Sequence, residues 1–570
     1  MIGNKIGAIV CGAAICAAAA KDTPCAATDS PDANGTVCTV QSPVSVARTK
    51  AGTVLFDFGR DAFGWAELKC APGECVVRLG EKLSEDGRVD MHPGGMIRSA
   101  EVRFTPPGNG YSRIPLKADR RNTTRGGVVS AILLDPKRGV VMPFRYIEIV
   151  SAPGQLAKDD VRRMMLHWPV DMSASSFRCS DGSLNRVYDL CKYSILATSF
   201  AGLYVDGDRE RIPYEADAYI NQLGHYAVDG DWRLGRKTHE YLMEHPTWPT
   251  EWKQFSIMMA WEDWMWSGDK SSIAKCYDAL KSKKLLLELA REDGLLVTGG
   301  ERRKGCVRPD LGDIVDWPSG ERDGFEFKPV NAVVNAFHYR NLREMSDIAA
   351  ALGRDADARF FADRSEKVRQ SFDVAFYRPE SGLYADGEGS GHTSLHANAA
   401  ALAFGLVPKG RQGAVAAFLK GKGMACSVYF AQFLLEALFK VGEAESAISL
   451  MSRGGDRSWI GMMEQGSTIT MEAWSLEAKR NQDWNHAWGS APLNIISRYV
   501  LGVKPITPGC SEVDVSPQVG NLKFVEGRVP TPKGAVVVRV VDGKVECAAP
   551  DAIRIRCALR RHADGMEAGR

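Results

Sequence analysis

Apolar and polar positions change their period twice along the 570 residues. From residue 36 to about 170, short β-rich runs are separated by Gly, Pro and Asp: "GTVLFDFG", "WAELKCA", "ECVVRLGEKL" and "PFRYIEIVSA". Such runs predict strands, and their regular spacing predicts a β-sandwich over residues 36–170. "RIPLKADRRNTTRGG" reads as an exposed loop within it. At "FRCSDGSLNRVYDLCKYSILATS" the period becomes helical: Phe177, Leu184, Val187, Tyr188, Leu190, Cys191 and Ile195 fall on one face, and Ser180 or Asp181 can cap the start. Helical patterning then runs over residues 175–502, in segments such as "NAVVNAFHYRNLREMSDIAAALG", "DARFFADRSEKVRQSFDVAFY" and "VYFAQFLLEALFKVG". Roughly 27 residues for each helix plus loop accommodate twelve helices, enough for a closed ring of six helical hairpins. After "RYVLGVKPITPG" the alternation returns in "SEVDVSPQ", "LKFVEGRV", "AVVVRVVDGKVECAA" and "AIRIRCAL", predicting a small β-domain over residues 503–560. The order is β, long α, β.

The first twenty residues depart from this scheme. Lys5 is followed by fifteen apolar or small residues ending in alanines, the pattern of a secretory signal peptide over residues 1–20 and too short for a comfortable membrane span. The mature protein is therefore expected to be exported, periplasmic or extracellular, with no membrane span. Twelve cysteines remain beyond that segment. They form neither paired CxxC motifs nor a dense disulfide framework, although Cys70 and Cys75 flank a turn-like "APGE" that a hairpin disulfide could close. A net charge of +2 and a pI near 7.9 give no reason to expect nucleic acid or an anionic membrane as a partner.

Candidate chemistry gathers in the helical region. "VDGDRERIPYEADAYINQLG", residues 205–224, holds Asp206, Asp208, Glu210, Glu215 and Asp217 among arginines and tyrosines. Gly207 and Pro213 make it a loop running into a helix near Tyr214. Three further stretches set acids beside aromatic rings. One carries Trp248, Trp252, Trp261 and Trp264; another carries Asp310, Asp313, Asp316 and Trp317; the last carries Glu472, Trp474, Trp484, His486 and Trp488. Carboxylates beside aromatic platforms suit a hydroxyl-rich ligand. Two carboxyls far apart in sequence suit glycoside hydrolysis, one protonating the leaving oxygen and the other activating water or attacking carbon. For the first stretch, the alternative is an Arg–carboxylate cluster that merely holds a loop together. For tryptophans at helical spacing, it is the core. GxSxG, HExxH, a P-loop and a dinucleotide fingerprint are all absent from the sequence. His392 and His396 have metal-like i, i+4 spacing without an evident third ligand, which favours packing or hydrogen bonding. No metal or cofactor is expected.

At these residues the chain resembles the α-L-rhamnosidase family of inverting glycoside hydrolases, over most of its length. "VLFDFGRDAFGWAEL" is similar to the start of the β-domain before the family's catalytic domain, and "FRCSDGSLNRVYDLCKYS" to its first barrel helix. "VDGDRERIPYEAD" resembles the motif bearing the general acid and "GSTITMEAWS" the motif bearing the general base. "NHAWGSAPLNIISRYVLGVKPITPGCSEVDVSPQVG" resembles the exit into the last β-domain. The resemblance implies a multidomain β + α protein: an (α/α)6 barrel flanked by an N-terminal β-sandwich and a small C-terminal β-domain. It implies Glu210 as general acid, buried in the negative field of Asp206 and Asp217, and Glu472 as general base roughly 6.5–9.5 Å away. Asp206 and Asp217 would hold sugar hydroxyls, with Arg209, Trp252, Asp316, Trp317, Trp474 and His486 completing the substrate-binding set. The substrate would be a terminal α-L-rhamnosyl group on a glycoside or polysaccharide. Two features depart from the family pattern: Asp206 stands one residue nearer Glu210, and "YEADAYINQ" replaces the usual Gly-Asp ending. A related glycosidase for another deoxysugar or a uronic acid is the alternative, with Arg209, Arg211 or Arg308 available to meet a sugar carboxylate. A non-catalytic carbohydrate-binding protein is the other.

Overall fold

The computed structural model describes residues 29–123, 130–301 and 308–557; the apolar segment at residues 1–20 lies outside them. Eight strands between Val37 and His167 form one antiparallel sheet. The runs expected as two strands are one, Val54–Lys69. Its register with Met142–Ser151 breaks between Asp57 and Ala62, where Gly59 takes φ 78°. That bulge bends the strand. Its first half also pairs with Ser45–Arg48, and its second half with Val161–His167 and Tyr111–Arg113. Alternation then gives the strand two apolar faces. Phe56, Phe58, Ala66 and Leu68 join Val77, Phe144 and Ile147 in the sheet's own core. Phe63 and Trp65 point the other way, onto Phe200, Ala201 and Val205 of the helical region. Of the segment expected as an exposed loop, Arg113 ends a strand and residues 114–123 form a loop in which Ile114 and Asn122 are buried, while residues 124–127 lie outside the described residues.

The first long helix spans Gly182–Thr198, its start fixed by Asp181, whose side chain accepts from the backbone N–H of Ser183 and Leu184. Phe177 is not on that helix, contrary to the expectation from its spacing. It lies in a strand, Ser176–Cys179, that pairs antiparallel with Phe524–Val529. The cap at Asp181 leaves the preceding residues extended, and Phe177 and Cys179 alternate inward. Two kinds of helix follow. Glu215–Val228 and Leu395–Ala403 are buried at every position, as inner helices must be. Asp355–Phe376 buries only Phe361, Ser365, Val368, Phe372 and Phe376, a single stripe at helical spacing, and packs on the inner Ala332–Ala351. The two layers make an (α/α)6 barrel.

The C-terminal strands complete the fold. Lys544–Ala548, Val536–Val541, Phe524–Val529 and Ser176–Cys179 form one sheet; Val503–Pro505, Glu512–Val515 and Arg554–Cys557 form another. Val525, Val529, Val536, Val538 and Val540 share the barrel's core. Cys70 and Cys75 bring their sulfurs to 3.5 Å without a bond. Among the described residues, no helix is long and apolar enough to cross a membrane.

Candidate active site

The loop before the helix Glu215–Val228 is closed on itself. The backbone N–H of Asp206 donates to Ile212 O at 3.0 Å, and that of Ile212 donates to Asp206 Oδ1 at 2.9 Å. This fold sets the neighbours Arg209 and Glu210 in different surroundings. The Glu210 side chain is 37 % exposed, so the burial expected for it is not there. Its Oε2 accepts from Tyr214 Oη at 3.0 Å, and its Oε1 lies 3.8 Å from Arg209 Nε.

Glu472, by contrast, is buried. Its segment is pinned by main-chain bonds: the N–H donates to Asp483 O, and Trp488 Nε1 donates to Glu472 O at 3.0 Å. Arg209 donates from one nitrogen to both Glu472 oxygens, at 2.7 and 2.6 Å, and Lys479 Nζ stands 3.0 Å away. One guanidinium thus touches Glu210 and Glu472 together. Its rigid, planar shape limits their closest oxygen–oxygen separation to about 9 Å.

His486 lies between two further carboxylates. Its Nε2 is 2.8 Å from Asp217 Oδ1, off the line of a good hydrogen bond, and its Nδ1 is 3.1 Å from Asp483 Oδ1. Burial alone would lower the imidazole pKa, but Asp483 and Asp217 carry it well above the ordinary histidine value. Asp483 resists the upward push of burial because His486, Arg209 and Lys479 surround it, and its pKa is lowered. Burial dominates at Asp206 and Asp217. It raises Asp206 well above the carboxylate range against the pull of Arg209, and raises Asp217 against that of His486. Asp206 Oδ2 and Arg209 Nε are buried with no hydrogen-bond partner, so they have capacity left for a ligand's hydroxyls.

Aromatic rings run from one carboxylate to the other. Tyr214 meets Trp252 edge-on at 5.6 Å, Trp252 meets Tyr429 at 6.2 Å, Tyr429 stacks on Trp488 at 5.4 Å, and Trp488 lies 4.7 Å from His486. The geometry therefore gathers Asp206, Arg209, Glu210, Asp217, Trp252, Glu472 and His486. Asp316 and Trp474 are differently employed. Asp316 takes hydrogen bonds from His396, from the Ser427 N–H and hydroxyl, and from the Trp317 N–H. Trp474 donates to Cys426 O and packs edge-on against Trp459. Trp317 remains 36 % exposed. His392 bonds Asp386 and His396 bonds Asp316, so the spaced pair serves two separate carboxylates. Tyr214, Tyr429, Lys479 and Asp483 were not singled out by sequence; Tyr214 meets Glu210 through the fold of the loop before Glu215, which no helical spacing reveals.

Glu472, Asp483 and His486 bring possible metal ligands within 4.8 Å of one another. Arg209 and Lys479 already sit on Glu472, and the raised pKa of His486 is that of an imidazolium. The protein's own cations fill the role a metal would have there.

Residues 172–500 match the family model described as the bacterial alpha-L-rhamnosidase six-hairpin glycosidase domain. An alpha-L-rhamnosidase of Alteromonas sp. (strain LOR) is 24 % identical over 539 residues, which is 87 % of this chain and 54 % of that protein. The alpha-L-rhamnosidase structure from Dictyoglumus thermophilum aligns with a TM-score of 0.72 at 20 % identity, covering 91 % of this chain and 58 % of that one. The Streptomyces avermitilis alpha-L-rhamnosidase complexed with L-rhamnose aligns with a TM-score of 0.72 at 17 % identity, covering 91 % and 50 %. The chain spans about half the length of the curated relatives it matches. With the matched domain covering more than half of it, this chain belongs to the bacterial α-L-rhamnosidase six-hairpin glycosidase family.

Proposed function

We propose that the protein is an exported glycoside hydrolase that removes terminal α-L-rhamnose with inversion, Glu210 acting as general acid and Glu472 as general base. The observation that carries this is Arg209, whose single guanidinium touches both carboxylates and sets about 9 Å as the upper limit of their separation, a limit that includes the spacing inverting pairs use. The unequal exposure of the pair assigns the roles. Glu210, partly open to solvent, faces the side on which a leaving group of any size can project. Glu472, buried and held by Arg209 and Lys479, lies where the sugar and its water would be enclosed. Asp206 and Asp217, both raised by burial, are the carboxyls placed to hydrogen-bond sugar hydroxyls. A relative bound to L-rhamnose supports the choice of sugar. Each arginine offered for a uronic acid already has its charge met by a carboxylate of the protein, Arg209 by Glu472, Arg211 by Asp208, and Arg308 by Asp310 and Glu288, although Arg209 Nε keeps a free donor. That favours an uncharged sugar. The leader at residues 1–20 supports export.

The test is the configuration of the first sugar released from an aryl α-L-rhamnoside, followed by proton NMR before mutarotation. The β-anomer is expected. First appearance of the α-anomer would overturn inversion, and failure to release rhamnose from any such substrate would overturn the choice of sugar.

A further inference from the structure

The N-terminal sheet reaches into the site through Glu81, Arg98 and Asn122, none of which lies in the segments that resemble the family. Asp208, two positions before Glu210, is buried and enclosed by four partners. Its Oδ2 accepts from Arg98 Nε, and its Oδ1 from Arg211 at 3.1 and 2.7 Å. Its carbonyl accepts from Asn122 Nδ2 at 2.7 Å, and its N–H donates to Asn485 Oδ1 at 2.8 Å. Arg98 and Asn122 belong to the sheet domain, Asn485 to the segment that carries His486. The other end of the Asn485 amide donates to Glu81 Oε1 at 2.9 Å, and Glu81 Oε2 accepts the N–H of Arg98 at 2.5 Å. The contacts close into a ring: Asp208, Asn485, Glu81, Arg98 and back to Asp208.

This ring joins three segments that lie far apart in the chain. One bears Glu210, one runs from Glu472 to His486, and one is the sheet edge from Glu81 to Arg98. The sheet also holds the Glu472 segment directly, since Met96 N–H donates to Gln482 O at 2.8 Å. There is no slack where the two carboxylate-bearing segments meet. Gly207 has φ 90°, and a Cβ there would lie 2.6 Å from Asn485 O and 2.8 Å from Asp483 Oδ2. Burial and the neighbouring Asp61 push the Glu81 carboxyl well above the usual range.

We propose that Glu81 and Arg98 of the β-domain are positioning residues for the reaction, fixing the Glu210 loop against the Glu472 segment through Asp208 and Asn485. The proposal rests on the roles given above to Glu210 and Glu472. Neither Glu81 nor Arg98 touches those carboxylates, so both act through the loop. A guanidinium is well shaped for this bracing. Arg98 presents Nε to Asp208 and another nitrogen to Asp119 at 2.6 Å, a fork that an ammonium cannot reproduce.

The test compares Arg98→Gln, Arg98→Lys, Asn485→Asp and Glu210→Gln on two rhamnosides, one with an activated aryl leaving group and one with a poor alkyl leaving group. Melting temperature and circular dichroism are measured beside them. A displaced general acid harms the poor leaving group most. Arg98→Gln should therefore lower kcat on the alkyl substrate by about 10- to 100-fold, a size expected of an ångström-scale misplacement. It should lower kcat several-fold less on the aryl substrate and leave KM within about twofold on both. Arg98→Lys, which keeps the bond to Asp208, should recover part of the loss. Asn485→Asp keeps the volume, sets a carboxylate against Glu81 and should show the same split, so the proposal remains testable if Arg98→Gln does not fold. Folded variants that lose equally on both substrates, or lose nothing, would overturn the positioning role. If Glu210→Gln shows the split and the ring variants do not, only this inference fails. If Glu210→Gln itself shows none, the assignment of the general acid fails instead.

Discussion

Two clusters of buried charge sit at opposite ends of the same inner helices, and the interior treats them in opposite ways. Helix Ala431–Lys440 starts just after Tyr429, in the aromatic run of the candidate site, and carries Glu436 two turns further along. The segment from Trp488 to Tyr499 runs the same way, so the two clusters lie roughly 10–16 Å apart along the barrel axis. At the far end Glu436 meets Arg498 at 3.1 Å, Tyr499 Oη at 3.0 Å and Lys440 at 3.9 Å. Burial would raise its pKa, but Lys440, Arg498 and Arg340 outweigh it and bring the carboxyl down to about 2. At the near end, burial wins at Asp206 and Asp217. A carboxylate with cations on several sides is a strut. One whose compensation is incomplete is pushed up by burial, and that electrostatic difference, not unfilled hydrogen bonds, separates the candidate site from the salt-bridge network.

This contrast can be tested by substitutions at both ends. The largest effect is expected at Glu472: Glu472→Gln should lower kcat by about 10²- to 10⁴-fold on activated and poor substrates alike, because water must be activated whatever leaves. Steady-state kinetics on both substrates decides this. With Glu472→Ala, added azide should restore turnover and yield a glycosyl azide of inverted configuration. Glu436→Gln should do the reverse, keeping kcat within a few-fold while costing about 1.5–3 kcal/mol of stability, since Arg498 and Lys440, both partly open to solvent, lose a charged partner; urea denaturation measures it. The pH dependence has a definite sign. The folded-state pKa of Glu436 is depressed, so its contribution is present above the ordinary value of 4.5 and lost as pH falls toward about 2. The stability gap between wild type and Glu436→Gln should therefore narrow across that window.

The smallest effect is expected at Asp206. Its folded-state pKa is raised, so folding is penalised increasingly as pH rises above 3.8 toward the folded value. Asp206→Asn mimics the neutral form and should leave stability at pH 7 within about 1 kcal/mol of wild type, or higher, while the same variant weakens substrate binding. A large loss of stability on denaturation would place Asp206 with the struts.

The β–α–β order and the two carboxylate-bearing segments were legible because their signals are local. Alternation is visible within a few residues of "ECVVRLG", and the cap at Asp181 stands directly before the helix it starts. Phe177 was misplaced because its partners lie some 350 positions away, in Phe524–Val529, where no local period reveals them. Composition alone offers Trp474 and Asp316 to a ligand, but their polar atoms are engaged by Cys426, Ser427 and His396. Glu210 was expected to be buried, yet only its loop is, since the anchoring falls on Asp206 and Asp208. Arg98 and Glu81 carried no signal because single charged residues near strand ends are ordinary until their partners are known.

The strand Ser176–Cys179 has a topological consequence. It stands at the entrance to the helical ring, and its partner Phe524–Val529 follows the exit, so the pairing of Ser176 with Arg528 and Cys179 with Val525 works as a clasp. A loop of some 350 residues is drawn shut there, at an entropic cost that grows only with the logarithm of its length. Once it is shut, neither end of the ring is free. Hairpins cannot peel away one after another, as they can in an open solenoid, without first parting the clasp. The last β-domain is thus the buckle of a belt, and the helical ring and that buckle must come apart together.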